Sequence, residues 1–548
     1  MQPITNNDNS NYEIVKKRPR MNYYNTNGYQ PPPLHHQPTY NPLLSNPYEY
    51  SLQHPSTSFI TTTWLTPQKM KEYLGNEKFF ECIMYLFFPC CFQKSYKCEK
   101  RLMCPPPALI LTGNGWNNLI AQPTSSSSSS MNGNNGLIAM MKICNTKEAV
   151  EETMEKSTVN IPNIVALFRA KNLYINSIEN KKLCRLSVDL HFSNGEKIEK
   201  INSGRIKVIS KPSKKSQKDT GNDGPLTAFK NGSQIALYNR FRQANSTRYL
   251  HCHSKKFFGS ISQWSVFKIY LVDEDAKDDT LTFETNDESI CYKSRVKLVD
   301  VATEISLPIM RIRKVAKEAK EDIYKPTDKY DEPVSQLHMI AFEHIDINGK
   351  LSYLSVSSNE TIIWQTISDL NTGINEGARW TITSAERYVY RFYPVNGMKK
   401  FSMLNFPVVF DVIKAEHDKI KKLEWLEIRG TGFDRSTKVW FNTCPSPQTI
   451  YRSAKTLLCV IPSTREYCAN CNLLGIQITN NDIIPLYLTN EDGNIYPTSF
   501  VFMYNKNIQG SLGHAKFIHE QDRNTIIQPV NVQQHHQNYY PSQMGIIH

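Results

Sequence analysis

The chain has 548 residues, with 64 lysines and arginines against 51 aspartates and glutamates, a formal net charge of +13. That length accommodates about three ordinary domains plus tails; 40% apolar residues permit real cores, while 30 prolines and a mean hydropathy of −0.48 leave a good part of the chain unpacked. The basic excess favours nucleic acid or an anionic surface as partner, and no apolar run reaches the roughly 18 residues of a membrane span. Thirteen cysteines without a regular framework, behind a polar opening stretch with no apolar leader, fit a reduced compartment and free, mostly buried thiols.

Residues 1–60 are rich in Asn, Pro, Tyr and His and are expected to be disordered, because they bury too little apolar surface to offset their ordering entropy. Inside them Lys16-Lys17-Arg18-Pro19-Arg20 is a basic cluster of nuclear-import type. An amino-terminal domain is expected over 61–215. It opens with a short helix capped by Thr66 with Pro67 in its first turn, followed by an apolar run from Phe79 to Phe92 suited to a buried strand. The stretch Gln93 to Arg101 sets basic residues around Tyr96 and leads into Cys104-Pro105-Pro106-Pro107, the strand Ala108 to Leu111 and a turn at Gly113 to Trp116. Such a loop, held between rigid strands, suits phosphates and base edges; a plain surface hairpin is the alternative. A low-complexity insertion with six consecutive serines spans 117–136 and is read as flexible. Strands are expected at Asn172 to Ile175 and Leu186 to Phe192.

From Arg205 to Ile209 basic and apolar residues alternate, so a strand there turns charge to one face and apolar groups to the other. Pro212 then stops it and throws Lys214 and Lys215 outward. A solvated basic loop is the alternative. A second all-β region is expected over 216–395, with Arg240 and Arg242 on one strand and Ser260, Gln263 and Trp264 in a turn-strand segment. The acidic Asp273 to Asp279 reads as a loop, and Lys314 to Lys329 has a helical texture. A third region, 400–505, has the length and spacing of one immunoglobulin-like sandwich, and 506–548 is polar and read as a disordered tail. Cys468-Ala469-Asn470-Cys471 is a lone C-x-x-C without a second pair at zinc spacing, and no phosphate-loop, nucleophile-elbow or zincin motif occurs. Neither a cofactor nor an enzymatic activity is expected.

Several of these stretches resemble the CSL transcription factors, the Suppressor of Hairless or recombination-signal-binding-protein-Jκ family of the Notch pathway. Gln93-Lys94-Ser95-Tyr96, Glu99-Lys100-Arg101, Cys104-Pro105-Pro106-Pro107 and Gly113-Asn114-Gly115-Trp116 match its amino-terminal domain. Arg205 to Lys215, Ser246-Thr247-Arg248-Tyr249-Leu250-His251, Gln263-Trp264 and Pro333-Val334-Ser335-Gln336-Leu337-His338 match farther along. Val439-Trp440-Phe441, Leu458 to Pro462 and Asp492 to Tyr496 match the carboxy-terminal domain. The resemblance runs in order from about Leu65 to Tyr504.

The resemblance implies two Rel-homology, immunoglobulin-like sandwiches flanking a β-trefoil, and a nuclear protein without enzymatic activity that binds double-stranded DNA as a monomer at a short G-rich site. Carried over by position, Tyr96, Lys100, Arg101, Ser210, Lys211, Lys214, Lys215, Arg240 and Arg242 are the expected major-groove and phosphate contacts, and Ser260 and Gln336 the minor-groove ones. Arginine pairs bidentately with guanine, and lysine neutralises phosphate. Implied partners are corepressors, a Notch intracellular domain and a Mastermind-like coactivator, with activation of RNA polymerase II transcription in the last case. The family's peptide groove matches in part. Phe283 and Lys297 fit it, while Thr285, Ser306 and Trp364 replace valine, alanine and glutamine. A divergent DNA-binding repressor that has lost the Notch peptide is therefore the second expectation.

Overall fold

The computed structural model describes residues 65–121, 136–144, 151–155, 164–176, 179–180, 182–212, 228–241, 246–274, 276, 288–318, 323–327, 332–346, 348–366, 373–394, 406–415, 423–477, 483–490, 493–505 and 513–518. The basic cluster at Lys16, the serine run, and most of the acidic loop lie outside them. As expected, the fold is all-β.

The helix Pro67–Gly75 starts as its sequence dictates, with the Thr66 hydroxyl accepting from the Lys69 N–H at 3.3 Å and Pro67 in the first turn. Its buried Met70, Tyr73 and Leu74 pack with Tyr393, Trp440, Tyr487 and Ile495. The apolar run expected from Phe79 begins as a strand only at Cys82–Pro89, because Glu77–Phe80 is a single helical turn that leaves Phe79 exposed. Gly113 to Trp116 is also more than a turn: Asn114–Ala121 is a helix that reaches into the segment read as flexible. Trp116 supplies the reason, being fully buried with its indole N–H donating to the Ile83 carbonyl at 3.1 Å. Asn172 to Ile175 is extended but is not a strand of either sheet; it is tied by a bridge from Leu102 to Tyr174 and by the Met103 and Ser95 N–H groups, which donate to the Leu173 and Ile175 carbonyls at 2.8 and 2.9 Å.

The first sandwich closes between two sheets. One holds Cys82–Pro89, Ala108–Thr112 and Ile164–Arg169; the other holds Cys91–Gln93, Ile206–Ile209, Leu183–Phe192, Leu137–Cys144 and Glu151–Glu155. Leu86, Phe88, Phe168, Leu186 and Val188 fill the space between them.

The trefoil strands, from Ser233–Phe241 onward, surround a separate core that includes Leu237, Phe267, Leu298, Phe342 and Trp380. The described parts of Lys314 to Lys329, residues 314–318 and 323–327, are not helical. Lys314 and Lys317 sit on the strand Met310–Lys317 and Lys325 on Tyr324–Pro326, and the two strands pair side by side; Lys314 meets Glu332 at 2.7 Å and Lys325 meets Glu318 at 2.9 Å.

One strand joins all three domains. Trp380–Phe392 has 13 residues, about 43 Å at about 3.3 Å each. Its first part pairs with Ile235–Tyr238 and with Met339 and Ile340 of the trefoil, and the rest pairs with Cys82–Pro89. Just beyond, Tyr393 and Ile495 exchange backbone hydrogen bonds of 2.8 and 3.0 Å. The third domain is a sandwich of a four-stranded and a five-stranded sheet. Cys468 and Cys471 lie on its helix Thr464–Leu473, which Ser463 and Glu466 cap reciprocally. All 13 cysteines are free, seven of them buried. The tail expectation is corrected at Gly513–Phe517, which forms the fifth strand of that sheet.

Candidate nucleic-acid interface

Ile206–Ile209 alternates as its sequence requires, with Ile206 and Val208 buried and Lys207 turned outward. It runs parallel to Cys91–Gln93, and this pairing brings the two basic stretches side by side. The Lys94 N–H donates to the Ile209 carbonyl at 3.0 Å, and the Gln93 side chain donates to the Ser210 carbonyl at 2.6 Å. Beyond them Tyr96 and Glu99 close a tight hairpin with bonds of 3.1 and 2.9 Å, Lys97 taking a left-handed φ of 51° at its tip. The base of the hairpin is fixed by Ser95, buried, whose hydroxyl accepts from the Arg101 N–H at 3.2 Å.

Cations gather around the exposed Tyr96 ring: Lys97 at 5.7 Å, Lys211 at 5.8 Å and Arg101 at 6.0 Å from its centroid. Lys100 lies 5.1 Å over the Tyr174 ring. Glu99 is the only acid between Gln93 and Arg101; its hydrogen bond and ion pair with Arg101, at 2.9 Å, hold its carboxyl below the usual range, and Arg240 adds to the effect. The trefoil therefore contributes to the same surface. Arg240 is exposed, 5.6 Å over Tyr238, and its guanidinium engages the Cys104 side chain across the domain junction. That junction is stapled by the Trp264 indole N–H donating to the Pro106 carbonyl, by Arg169 donating to the Ser262 carbonyl, and by the Thr383 hydroxyl donating to the Cys91 carbonyl.

Tyr96, Lys100, Arg101, Ser210, Lys211 and Arg240 thus meet on one exposed face. Lys214, Lys215 and Arg242 lie outside the described residues. Ser260 stands apart at the edge of the junction, buried, its hydroxyl accepting from the Ser262 and Gln263 N–H groups at 3.2 and 3.1 Å. Gln336 is buried too, and Ser384 occupies both ends of its amide: Oε1 accepts the Ser384 N–H at 2.8 Å, and Nε2 donates to the Ser384 hydroxyl. It lines a cleft of about 450 Å³ between the domains, together with Arg205, Lys207 and Gln234. From the Ser233 end of its strand to Arg240 is about 23 Å at about 3.3 Å per residue. Arg205 and Lys207 carry the charged face expected from their alternation with Ile206 and Val208, but they are not among the expected DNA contacts.

The groove residues are less alike. Lys297 is buried, Ser306 is half-buried and bridged to Val299, and Trp364 lies on the strand Ile362–Thr366 with its indole 4.8 Å from the His344 ring. Phe283 and Thr285 lie outside the described residues.

Three family models match in order: "LAG1, DNA binding" over 84–223, "Beta-trefoil DNA-binding domain" over 253–380 and "TIG domain" over 406–504. The human recombining binding protein suppressor of hairless-like protein is 32% identical over 441 residues, 77% of this chain and 79% of that protein. This chain belongs to the CSL family. The mouse counterpart is 31% identical over 420 residues, 75% of this CSL chain and 77% of its own length. Transcription factor cbf11 of Schizosaccharomyces pombe is 29% identical over 394 residues, 64% of this chain and 58% of that protein. CSL proteins are DNA-binding transcription factors rather than enzymes, and sequence-specific DNA binding is the activity of this chain's class.

Proposed function

We propose that this CSL protein reads a short G-rich duplex site in the nucleus, with the Tyr96 hairpin and Arg240 at the major groove and Lys100, Ser210, Lys211, Lys214, Lys215 and Arg242 at phosphates. Ser260 and Gln336 face the minor groove, Gln336 after releasing Ser384. The observation that carries this reading is the convergence of Tyr96, Arg101, Lys211 and Arg240, from two domains, on one exposed face. Fixed cations there neutralise phosphate with a gain that falls as salt rises, and arginine adds bidentate discrimination for guanine. The test is binding-site selection on the purified chain. One enriched G-rich motif, with binding abolished by Arg101→Glu or Arg240→Glu at unchanged melting, is expected. No enriched motif, or full affinity after charge reversal at physiological salt, refutes it.

On DNA the protein recruits corepressors and, with a Notch intracellular domain and a Mastermind-like coactivator, activates RNA polymerase II transcription. A second reading, a repressor that has lost the Notch peptide, is favoured by Trp364, whose indole stands 4.8 Å from the His344 ring where the family has glutamine. Titration with a Notch juxtamembrane peptide separates the two. Saturable binding supports coupling, and no binding at high micromolar peptide supports the second reading.

A further inference from the structure

The outer face of the first sheet is where the trefoil packs. Leu86, Leu109 and Phe168 turn into the sandwich core, so their neighbours Phe87, Ala108, Ile110 and Leu167 turn the other way, with Phe87 opposite Ala108 and Ile110 opposite Leu167. Trp264 and Val266 of the trefoil face them, the indole edge-on to Phe87 at 5.7 Å. Ala108 offers a single methyl where its neighbours carry large side chains, and a cavity of about 130 Å³ lies among these residues. Ala302, exposed, stands at its rim.

One polar group sits in this apolar wall with half of its capacity unused. Asp300 lines the cavity and is 1% exposed. Its Oδ2 accepts from the Ala302 and Thr303 N–H groups at 3.2 and 2.8 Å and from the Thr303 hydroxyl at 2.8 Å. Its Oδ1 is buried with no hydrogen-bond partner among the described residues. Polar neighbours at the wall are engaged elsewhere: His251 with the Ser265 hydroxyl at 3.1 Å, and Arg387 over the Tyr85 ring at 4.5 Å. A buried acceptor left unpaired is costly, and a water set against it takes two to four polar partners where this wall supplies chiefly carbon. What suits the site is an apolar body with one donor. An apolar cavity of about 150 Å³ takes up benzene, which sets the size at one ring. We propose that this cavity between the first sandwich and the trefoil binds a small one-ring molecule carrying a single hydrogen-bond donor, a phenol or an aromatic amine. The donor meets Asp300 Oδ1, and the ring lies against Phe87, Ala108 and Trp264.

The probes are phenol and toluene, alike in size, the second without a donor, each titrated into the full chain by saturation-transfer NMR. Phenol is expected to bind saturably, with a Kd of about a millimolar or tighter. Asp300→Asn keeps an oxygen for the Ala302 and Thr303 N–H groups and sets an NH2 group where Oδ1 stood. It is expected to weaken phenol at least about tenfold, and to change whatever binding toluene shows by less than about twofold. Ala108→Ile, which fills the cavity, is expected to abolish binding of both probes. Should that variant lose its cooperative melting transition, Ala302→Leu at the exposed rim takes its place with the same expectation. Absence of saturable phenol binding at about 10 mM, an unchanged phenol affinity in Asp300→Asn, or an equal loss of phenol and toluene there overturns the proposal. So does phenol binding that survives the filling variant.

Discussion

The indole N–H of Trp264 donates to the Pro106 carbonyl at 2.9 Å, so the trefoil tryptophan and the proline run of the first sandwich form a single buried contact. Phe87 stands edge-on to the same indole at 5.7 Å and 71°. Cys104, two residues before Pro106, receives Arg240. The contact therefore sets the angle at which the two domains present their cations.

Trp264→Phe keeps the ring and removes the donor, leaving a buried carbonyl unpaired at a cost of about 1–3 kcal/mol. Urea unfolding should show that loss, and Trp264→Ala should cost about 3–5 kcal/mol. A phenylalanine variant as stable as the wild type would show that the hydrogen bond contributes nothing.

Lys211 is exposed and beside Tyr96. Lys211→Ala should leave the melting temperature unchanged and lower the slope of log affinity against log salt by about 0.9, the value for one lost phosphate contact on duplex DNA. An unchanged slope in a salt titration would remove Lys211 from the interface.

Tyr96 orders three cations through its ring face, each such contact being worth about 0.5–1 kcal/mol when exposed. Tyr96→Ala should weaken DNA binding about tenfold, roughly 1.4 kcal/mol. Tyr96→Phe keeps the ring, so any loss it shows in the same anisotropy assay belongs to the hydroxyl.

Burial, helped by the neighbouring His253, lowers the pKa of His251 to about 4. The unfolded imidazole titrates near 6.5, so between these values the unfolded chain binds the extra proton and stability falls as pH falls. The contribution is fully present above about pH 6.5 and amounts to at most about 3 kcal/mol by the conversion of 1.36 kcal/mol per unit. Denaturant midpoints for His251→Gln should vary less between pH 6.5 and 4 than those of the wild type; identical profiles would exclude His251 as a cause.

Legibility followed the range of the forces. The Thr66 cap and the alternation at Ile206–Ile209 were readable because each is decided by neighbours a few residues away. The helix at Asn114–Ala121 was missed because its anchor, the socket around Trp116, is built from Ile83 on another strand. Lys314 to Lys329 has a helical texture because mixed charge has no period of its own; what makes its described parts strands is the antiparallel pairing of Val315–Lys317 with Tyr324–Pro326, and the carboxylate that meets Lys314, Glu332, comes from beyond the segment.

By itself the sequence determined an all-β DNA-binding protein of the CSL family, since motif order, strand alternation and basic loops are local properties. Three things were left to the tertiary structure. Arg240 joins the Tyr96 hairpin only because the junction at Pro106 and Trp264 folds the trefoil against the first sandwich. Trp380–Phe392 links the domains only because a strand has two edges and its hydrogen-bond partners are non-local. Gly513–Phe517, too polar and short to announce itself, is a strand because the edge of Ile495–Tyr504 offers it a ladder.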